Sequence, residues 1–280
     1  MNRQRALSCL ALVGAALALS ACGLLAPAPT PPPTETLVPT LVTVLPQVPT
    51  LDETRPPGVN DLTSAAAPSG GAVPLEVEIA AADGLTLRGL YYPQPESAPG
   101  VLLLHMLGRN KESWEGLAAA LQAAGFAALA VDLRGHGATG GAADWTLARG
   151  DTLAMLDFLR RQPNVDPARV GIVGASIGAN LALAGCASDA ACRAVVALSP
   201  GLDYRGVTTE DAIPALGARP ALFVASEDDA YSAQTARTLD GLARGDHQLQ
   251  IYQAAGHGTA MLSAEPGLID LIVTWLKERL

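Results

Sequence analysis

Hydrophobic and polar positions follow two different patterns in the chain beyond residue 74. Residues 75–79 and 85–92 alternate with a period of two on either side of the turn sequence Asp83-Gly84, which predicts an antiparallel hairpin. Short apolar runs then alternate with segments of helical spacing, and this order predicts a mostly parallel sheet covered by helices on both faces. The predicted strands are 101–104, 127–131, 170–173, 194–198, 222–225 and 249–252, and the predicted helices are 113–124, 148–161, 177–187, 232–243 and 264–280.

The first 73 residues lack this alternation and divide into two segments. Residues 1–21 place two arginines ahead of a fourteen-residue apolar stretch, which is typical of a signal peptide and too short to span a bilayer as a helix. The stretch ends in Leu-Ser-Ala-Cys, which resembles a bacterial lipobox and predicts a lipidated N-terminus at Cys22. Residues 22–73 hold eleven of the 21 prolines and cannot bury enough apolar surface to offset their ordering entropy. We expect a disordered tether there, followed by one domain at 74–280.

Charge narrows the range of partners. The chain has a formal net charge of −9, which becomes −11 without residues 1–21, because that segment contains two arginines and no acidic residue. An acidic chain without a basic cluster argues against binding to nucleic acid and to anionic lipid. We therefore expect an exported lipoprotein that is anchored on the extracytoplasmic side of a membrane through its lipid alone.

Two further cysteines lie close together in the predicted domain. In an exported protein, Cys186 and Cys192 are a candidate disulfide, with two free thiols as the alternative. Neither cysteine has neighbours typical of a metal site, and the chain has no His-Glu-x-x-His sequence. The sequence predicts no catalytic metal.

Residues 174–178 read Gly-Ala-Ser-Ile-Gly and lie between a predicted strand and a predicted helix. There a serine is held on a tight turn with its hydroxyl above the sheet, so Ser176 is a candidate nucleophile. A serine hydroxyl needs a base, and in this arrangement the base follows the serine in the chain, which leaves His247 and His257. We predict His257, because it follows the C-terminal end of a strand, where ligands gather in α/β sheets.

The carboxylate that would orient His257 should follow the preceding strand, which runs into Ser-Glu-Asp-Asp at 226–229. Its position after the strand favours Asp229. Asp228 is the first alternative, and Asp203, after an earlier strand, is a weaker one. The competing interpretation is that the acidic cluster is simply a solvated loop.

Two backbone N–H groups should stabilise the oxyanion that forms when Ser176 attacks a carbonyl group. One is expected from Ile177, directly after the serine. The other is expected from the loop after the first predicted parallel strand, where Leu107 is favoured and Met106 is the alternative. We interpret His105, in the same loop, as a structural histidine that holds the loop in place.

Five ordered motifs resemble those of the α/β-hydrolase family across residues 75–280. They are the His105 loop, Asp-Leu-Arg-Gly-His-Gly at 132–137, the serine turn at 174–178, the acidic loop at 226–229 and Gly-His-Gly at 256–258. The resemblance implies an α/β-hydrolase fold with a minimal cap, and it implies that Arg134 and His136 scaffold a loop. The layout is similar to that of short dienelactone-hydrolase-like and esterase-like members, although dienelactone hydrolases carry a cysteine where this chain has Ser176.

These features predict a serine hydrolase that cleaves a small-molecule ester through an acyl-enzyme and needs no cofactor. A peptidase or amidase that uses the same residues, or a catalytically inactive binding module of the same fold, is the alternative. Residues 199–219 are too few for a helical cap, which predicts a preference for short acyl groups. Trp145 and Tyr204 are either pocket-lining aromatics or ordinary packing residues.

Overall fold

The computed structural model describes residues 72–280 and contains ten β-strands in that range. They are β1 (Leu75–Ala80), β2 (Thr86–Tyr92), β3 (Ala98–Leu104), β4 (Ala127–Asp132), β5 (Val165–Ala175), β6 (Cys192–Leu198), β7 (Asp203–Tyr204), β8 (Val207–Thr208), β9 (Ala221–Ser226) and β10 (His247–Tyr252). Eight form one sheet in the order β1-β2-β4-β3-β5-β6-β9-β10, and β7 pairs only with β8. The predicted signal peptide, Cys22 and tether residues 22–71 lie outside the described residues.

Seven α-helices connect or flank these strands within residues 72–280. They are α1 (Glu115–Ala123), α2 (Trp145–Arg160), α3 (Ile177–Ser188), α4 (Ala212–Leu216), α5 (Ala230–Leu242), α6 (Met261–Ala264) and α7 (Gly267–Lys277). In this part of the chain no single helix is long and apolar enough to cross a membrane, and only the pair Gly258–Ala264 and Gly267–Lys277, bent by 111°, meets that test together.

The predicted parallel sheet with helices on both faces is confirmed. β1 pairs with β2, and β2 with β4, in antiparallel fashion, while all the other neighbours in the large sheet are parallel. The central strands β3 and β4 are buried at every position, because helices cover both of their faces. One core lies under α2, α3 and α5, and a second lies under α1 and α7.

Several element boundaries differ from the sequence-based expectation. Strand β5 begins at Val165, five residues before the predicted start at 170. Asn164, directly before the strand, has a left-handed backbone conformation with φ of 64°. The helix expected at 264–280 extends only from Gly267 to Lys277, as α7, and the short helix α6 already ends at Ala264. Pro266 separates the two helices, because a proline has no N–H to continue the helical hydrogen bonds.

The C-terminal end of α3 is fastened to the segment that follows it. Cys186 and Cys192 are joined by a disulfide. The Arg219 guanidinium donates to the carbonyl oxygens of Asp189 and Ala215, at 2.9 and 2.8 Å, and also to that of Cys186. The bonds to Cys186 and Asp189 satisfy carbonyl groups that the end of α3 leaves without partners in the helix, and the bond to Ala215 ties the same guanidinium to α4. The helix that begins at the candidate nucleophile is thus fixed at its far end.

Candidate active site

Ser176 lies on the turn between β5 and α3 in a left-handed backbone conformation, with φ of 54° and ψ of −120°. Residues other than glycine rarely adopt such a positive φ, and such strain concentrates at functional sites. A Cβ at Gly174 would overlap the carbonyl of Gly178, and a Cβ at Gly178 would overlap the carbonyl of Leu104. The two glycines therefore allow β5, α3 and the end of β3 to approach closely. Only 7% of Ser176 is exposed.

His257 and Asp229 follow neighbouring parallel strands, β10 and β9, and meet at the carboxyl edge of the sheet. The distance between His257 Nδ1 and Asp229 Oδ2 is 2.6 Å. An ionised carboxylate only accepts hydrogen bonds, so Nδ1 carries the proton and Nε2 is left as an acceptor. The other Asp229 oxygen accepts weakly from the N–H of Ser232, at 3.5 Å, in the first turn of α5. The carboxylate is therefore held on both sides.

Three side chains at the ends of β6 and β9, or just after them, accept hydrogen bonds from backbone N–H groups around His257. The pairs are Ser226 Oγ with Ala255 N at 2.8 Å, the Asp228 carboxylate with Gly256 N at 3.2 Å, and Ser199 Oγ with Gly258 N at 2.9 Å. Both serines are fully buried. Sequence reasoning missed both of them, because a serine at the end of an apolar strand produces no spacing signal.

Asp228, the first alternative acid, faces the loop backbone and not the imidazole. Hydrogen bonds from the Ser226 hydroxyl and then from the Gly256 N–H hold the pKa of its carboxyl below the ordinary value. Asp203, the weaker alternative, is exposed in β7, where it accepts from the N–H of Gly206 at 2.7 Å. His247 begins β10 and so lies at the opposite end of that strand from the loop of His257.

The loops that carry Ser176 and His257 lie close together. A Cβ built on Gly258 would lie 3.6 Å from the Cβ of Ala175, the residue before Ser176. Tyr204 lies beside both residues, with its ring centroid 6.4 Å from that of His257. Burial raises the pKa of Tyr204, and the hydrogen bond between its hydroxyl and that of Ser232 lowers it. Ser176, His257 and Asp229 are thus gathered at one edge of the sheet.

The two expected oxyanion donors have available N–H groups. Ile177 begins α3, and Leu107, which is 46% exposed, lies in the loop after β3. Within residues 72–280, neither backbone N–H donates to a protein acceptor. The N–H of Met106 is equally available in that range, so the choice of Leu107 stays a prediction. The Met106 sulfur lies 3.6 Å from the Thr259 hydroxyl and so packs against the loop of His257.

His105 has the structural role expected from the sequence. Its Nε2 accepts from the N–H of Leu133 at 2.9 Å, and its Nδ1 donates to the carbonyl of Met106 at 2.8 Å. The side chain is fully buried, and burial lowers its pKa to about 4. The ring is therefore neutral at neutral pH and ties the loop after β3 to the end of β4.

The turn after β4 is held by buried charges. Arg134 is 4% exposed and pairs with Asp151 at 2.6 Å and with Asp83 at 3.0 Å. The hydrogen bond with Asp151 is the main cause that raises the pKa of Arg134. His136 packs against Trp145 with ring centroids 5.9 Å apart. These contacts agree with the scaffolding role that the family resemblance implied.

A cleft of about 430 Å³ opens between the loop after β3 and the turn after β4. Its lining residues are Gly108, Arg109, Asn110, Gly135, His136 and Gly137.

Residues 72–280 contain no group of three or more His, Cys, Asp or Glu side chains that could hold a metal ion.

The sheet order, the strained serine turn after β5 and the aspartate and histidine after later strands are the features of an α/β-hydrolase fold. The sequence profile of the alpha/beta hydrolase family matches residues 101–276. The chain belongs to this family.

Curated relatives and solved structures agree with this assignment. The chain is 33% identical over 134 residues to polyketide transferase ATR5 of Stachybotrys chlorohalonatus, which covers 46% of this chain and 45% of the relative. It is 30% identical over 132 residues to thiohydrolase aneE of Aspergillus aculeatus, covering 45% and 41%. This chain thus aligns with about half the length of the curated relatives it matches. A dienelactone hydrolase from Anabaena variabilis superposes with a TM-score of 0.61 and 23% identity, covering 74% of this chain and 99% of that one, which supports the fold.

Proposed function

We propose that this protein is a serine hydrolase that cleaves esters of short acyl groups with Ser176, His257 and Asp229. The observation that carries the proposal is the 2.6 Å contact between His257 Nδ1 and Asp229 Oδ2, in a loop that lies close to the strained serine turn. An imidazole fixed in this tautomer has its Nε2 available to take the serine proton. The family membership of the chain supports the same reaction class.

The reaction would proceed in two balanced steps. Ser176 Oγ attacks the ester carbonyl carbon, its proton moves to His257 Nε2, and the tetrahedral oxyanion accepts from the N–H groups of Ile177 and Leu107. The carbon–oxygen bond to the alcohol breaks, and the alcohol takes the proton from His257. Water then attacks the acyl-enzyme with His257 as base, which releases the acid and restores Ser176.

Thioester hydrolysis is the second candidate for the same site. Relatives named thiohydrolases, such as that of Aspergillus aculeatus, match about half of this chain. A thioester passes through the same tetrahedral oxyanion, and its thiol leaves more readily than an alcohol. Comparing kcat/KM for an acetyl thioester with that for a matched acetyl ester decides between the two.

The segment between β6 and β9 supports a small acyl site. Residues 199–219 form the two-residue strands β7 and β8 and the five-residue helix α4. Such short elements cannot enclose a long alkyl chain, and each CH₂ that stays in water forgoes about 0.8 kcal/mol of binding. We therefore propose that esters of short acids are preferred over long-chain lipids.

A fluorophosphonate probe tests the assignment of Ser176. We expect peptide mapping to find the probe on Ser176, and Ser176→Ala to remain unlabelled with kcat reduced by about 10⁶-fold. Ser113→Ala, which removes a hydroxyl that only bonds the carbonyl of Asn110, is the matched control. A folded wild-type protein that resists the probe and hydrolyses no ester would favour the inactive binding module instead.

We also propose that the mature chain begins at a lipidated Cys22 and is held on the extracytoplasmic side of a membrane by that lipid. The proposal rests on the Leu-Ser-Ala-Cys sequence after the apolar stretch of residues 1–21. Cys22→Ser should then move the protein from the membrane fraction to the soluble fraction. An unmodified N-terminus in the mass spectrum of the wild-type protein would contradict it.

A further inference from the structure

The hairpin formed by β7 and β8 is firmly anchored beside Ser176. Asn180, one turn into α3 and fully buried, donates to the carbonyl oxygens of Gly201 and Val207, at 2.9 and 2.7 Å, and accepts from the N–H of Gly201 at 3.0 Å. The buried Thr209 hydroxyl donates to the same Gly201 carbonyl at 2.8 Å. Both ends of the hairpin are therefore fixed to the helix that begins at the nucleophile.

This hairpin places Tyr204 against the site. Its hydroxyl lies 3.1 Å from the hydroxyl of the fully buried Ser232, and its ring is 5.7 Å from that of Tyr231. The Tyr204 ring packs against the backbone of Gly201 so closely that a Cβ at this position would lie 2.6 Å from the ring. Only glycine leaves the space that the ring occupies. A side chain held by these contacts forms a fixed wall.

We propose that Tyr204 is a specificity-determining residue whose ring limits the length of the acyl group bound at Ser176; this inference rests on the proposed function. The ring lies edge-on to His257, with centroids 6.4 Å apart, and the hairpin that carries it is bonded to Asn180, one turn after Ser176. It therefore occupies space beside the atom to which the acyl group becomes bonded.

The acyl group, and not the alcohol, is the group that we expect the ring to confine. The acyl group is bonded to Ser176 Oγ from the first step until water arrives. The alcohol only leaves, taking its proton from His257 Nε2.

The test compares Tyr204→Ala, which removes the ring, with Tyr204→Phe, which keeps it. With p-nitrophenyl acetate and octanoate, we expect Tyr204→Ala to raise the octanoate-to-acetate ratio of kcat/KM at least tenfold, since each CH₂ newly buried is worth about fourfold in binding. Tyr204→Phe should keep the wild-type ratio within about twofold, because the acyl group meets the ring and not the hydroxyl. If Tyr204→Ala does not fold, Tyr204→Leu removes the ring while keeping an apolar side chain.

A second series, with acetate esters of rising alcohol length, identifies the confined group. The ratio of octyl to ethyl acetate should change less than about twofold in Tyr204→Ala, because the alcohol is never bonded to Ser176 and leaves with the proton from His257. An unchanged acyl ratio, or a shift in the alcohol ratio instead, overturns the inference for Tyr204 alone, provided that the wild-type protein is labelled by the fluorophosphonate. Absence of that labelling overturns the proposed function itself.

Discussion

Two adjacent carboxylates, Asp228 and Asp229, have different partners although they are neighbours in sequence. Asp229 contacts the imidazole of His257, whereas Asp228 accepts from the N–H of Gly256 and from the hydroxyl of Ser226. One orients the ring, and the other fixes the backbone that carries it. The division follows from the turn at the end of β9, which directs the two side chains apart.

Asp229→Asn should therefore slow ester hydrolysis far more than Asp228→Asn. An amide at position 229 no longer stabilises the imidazolium and can favour the wrong tautomer of His257, which costs about 10⁴-fold in kcat in related triads. At position 228, an amide oxygen can still accept from the N–H of Gly256, so we expect a loss below about tenfold. Steady-state kinetics on p-nitrophenyl acetate measures both variants. The reverse ranking would transfer the role to Asp228.

His105 should make the folded state sensitive to acid. Its pKa of about 4 lies below the ordinary value of 6.5, because burial disfavours the charged ring. As pH falls from about 6.5 to about 4, the unfolded chain binds a proton that the native chain does not, so stability is lost in this window. The shift corresponds to about 2 to 3 kcal/mol by pH 4.5.

Urea unfolding at pH 7 and at pH 4.5 measures this effect. His105→Gln can retain an acceptor and a donor but does not titrate, so its free energy of unfolding should fall less over the interval than that of the wild type. The matched control is His247→Gln, in which the replaced side chain is exposed at the start of β10, and it should follow the wild type. Equal slopes for all three proteins would contradict the proposed role of burial.

At the scale of elements, the contact between α3 and β3 depends on a glycine. Gly178→Ala would bring a Cβ onto the carbonyl of Leu104, so one of the two elements must shift. We expect the free energy of unfolding to fall by about 3 kcal/mol, as for overpacked cores.

Gly150→Ala in α2 is the matched control, because no atom lies within 4 Å of its added Cβ. This control should gain up to about 1 kcal/mol from the better helix propensity of alanine. Denaturant titration of both variants gives the comparison, and effects of the same sign would contradict it.

The large elements could be predicted from sequence because their signals are long and periodic. Strands β3 to β6, β9 and β10 all have the expected order, and the antiparallel pair β1 and β2 was indicated by the turn at Asp83-Gly84. The hairpin β7–β8 was not predicted, since two residues per strand carry no period. Its turn at Arg205-Gly206 has positive φ at both positions, and only the glycine gives a signal of this in the sequence.

The site was predictable in part for a similar reason. Ser176 and His257 stand out because motifs and strand ends locate them, and the structure brings their loops together. The sequence favoured Asp229 without excluding Asp228, because the direction of a side chain in a turn depends on φ and ψ and not on residue type. The role of Ser199, whose backbone φ is 51°, could not be predicted from the sequence for the same reason.

At the scale of the whole domain, the disulfide between Cys186 and Cys192 restricts the unfolded chain. The seven-residue loop that it closes should contribute about 2 kcal/mol by loop-closure entropy. Urea unfolding of the wild-type protein with and without a thiol reductant measures this without any change of side chain. The Cys186→Ser, Cys192→Ser double variant should show no effect of the reductant. A reductant effect of equal size in that variant would assign the loss to something other than the bond.

The anchoring of the β7–β8 hairpin has a consequence for how this scaffold can diversify. Gly201 is bonded to Thr209 and to Asn180, and Asn180 also bonds Val207, so the chain enters and leaves the hairpin at one closed point. Residues 203–206 can then be lengthened, shortened or exchanged without transmitting tension to the ends of β6 and β9, where Ser199 and Ser226 lie. The hairpin is therefore a segment that can be replaced as a unit. Grafting segments of other lengths at this point offers a route to new substrate ranges while the catalytic residues stay unchanged.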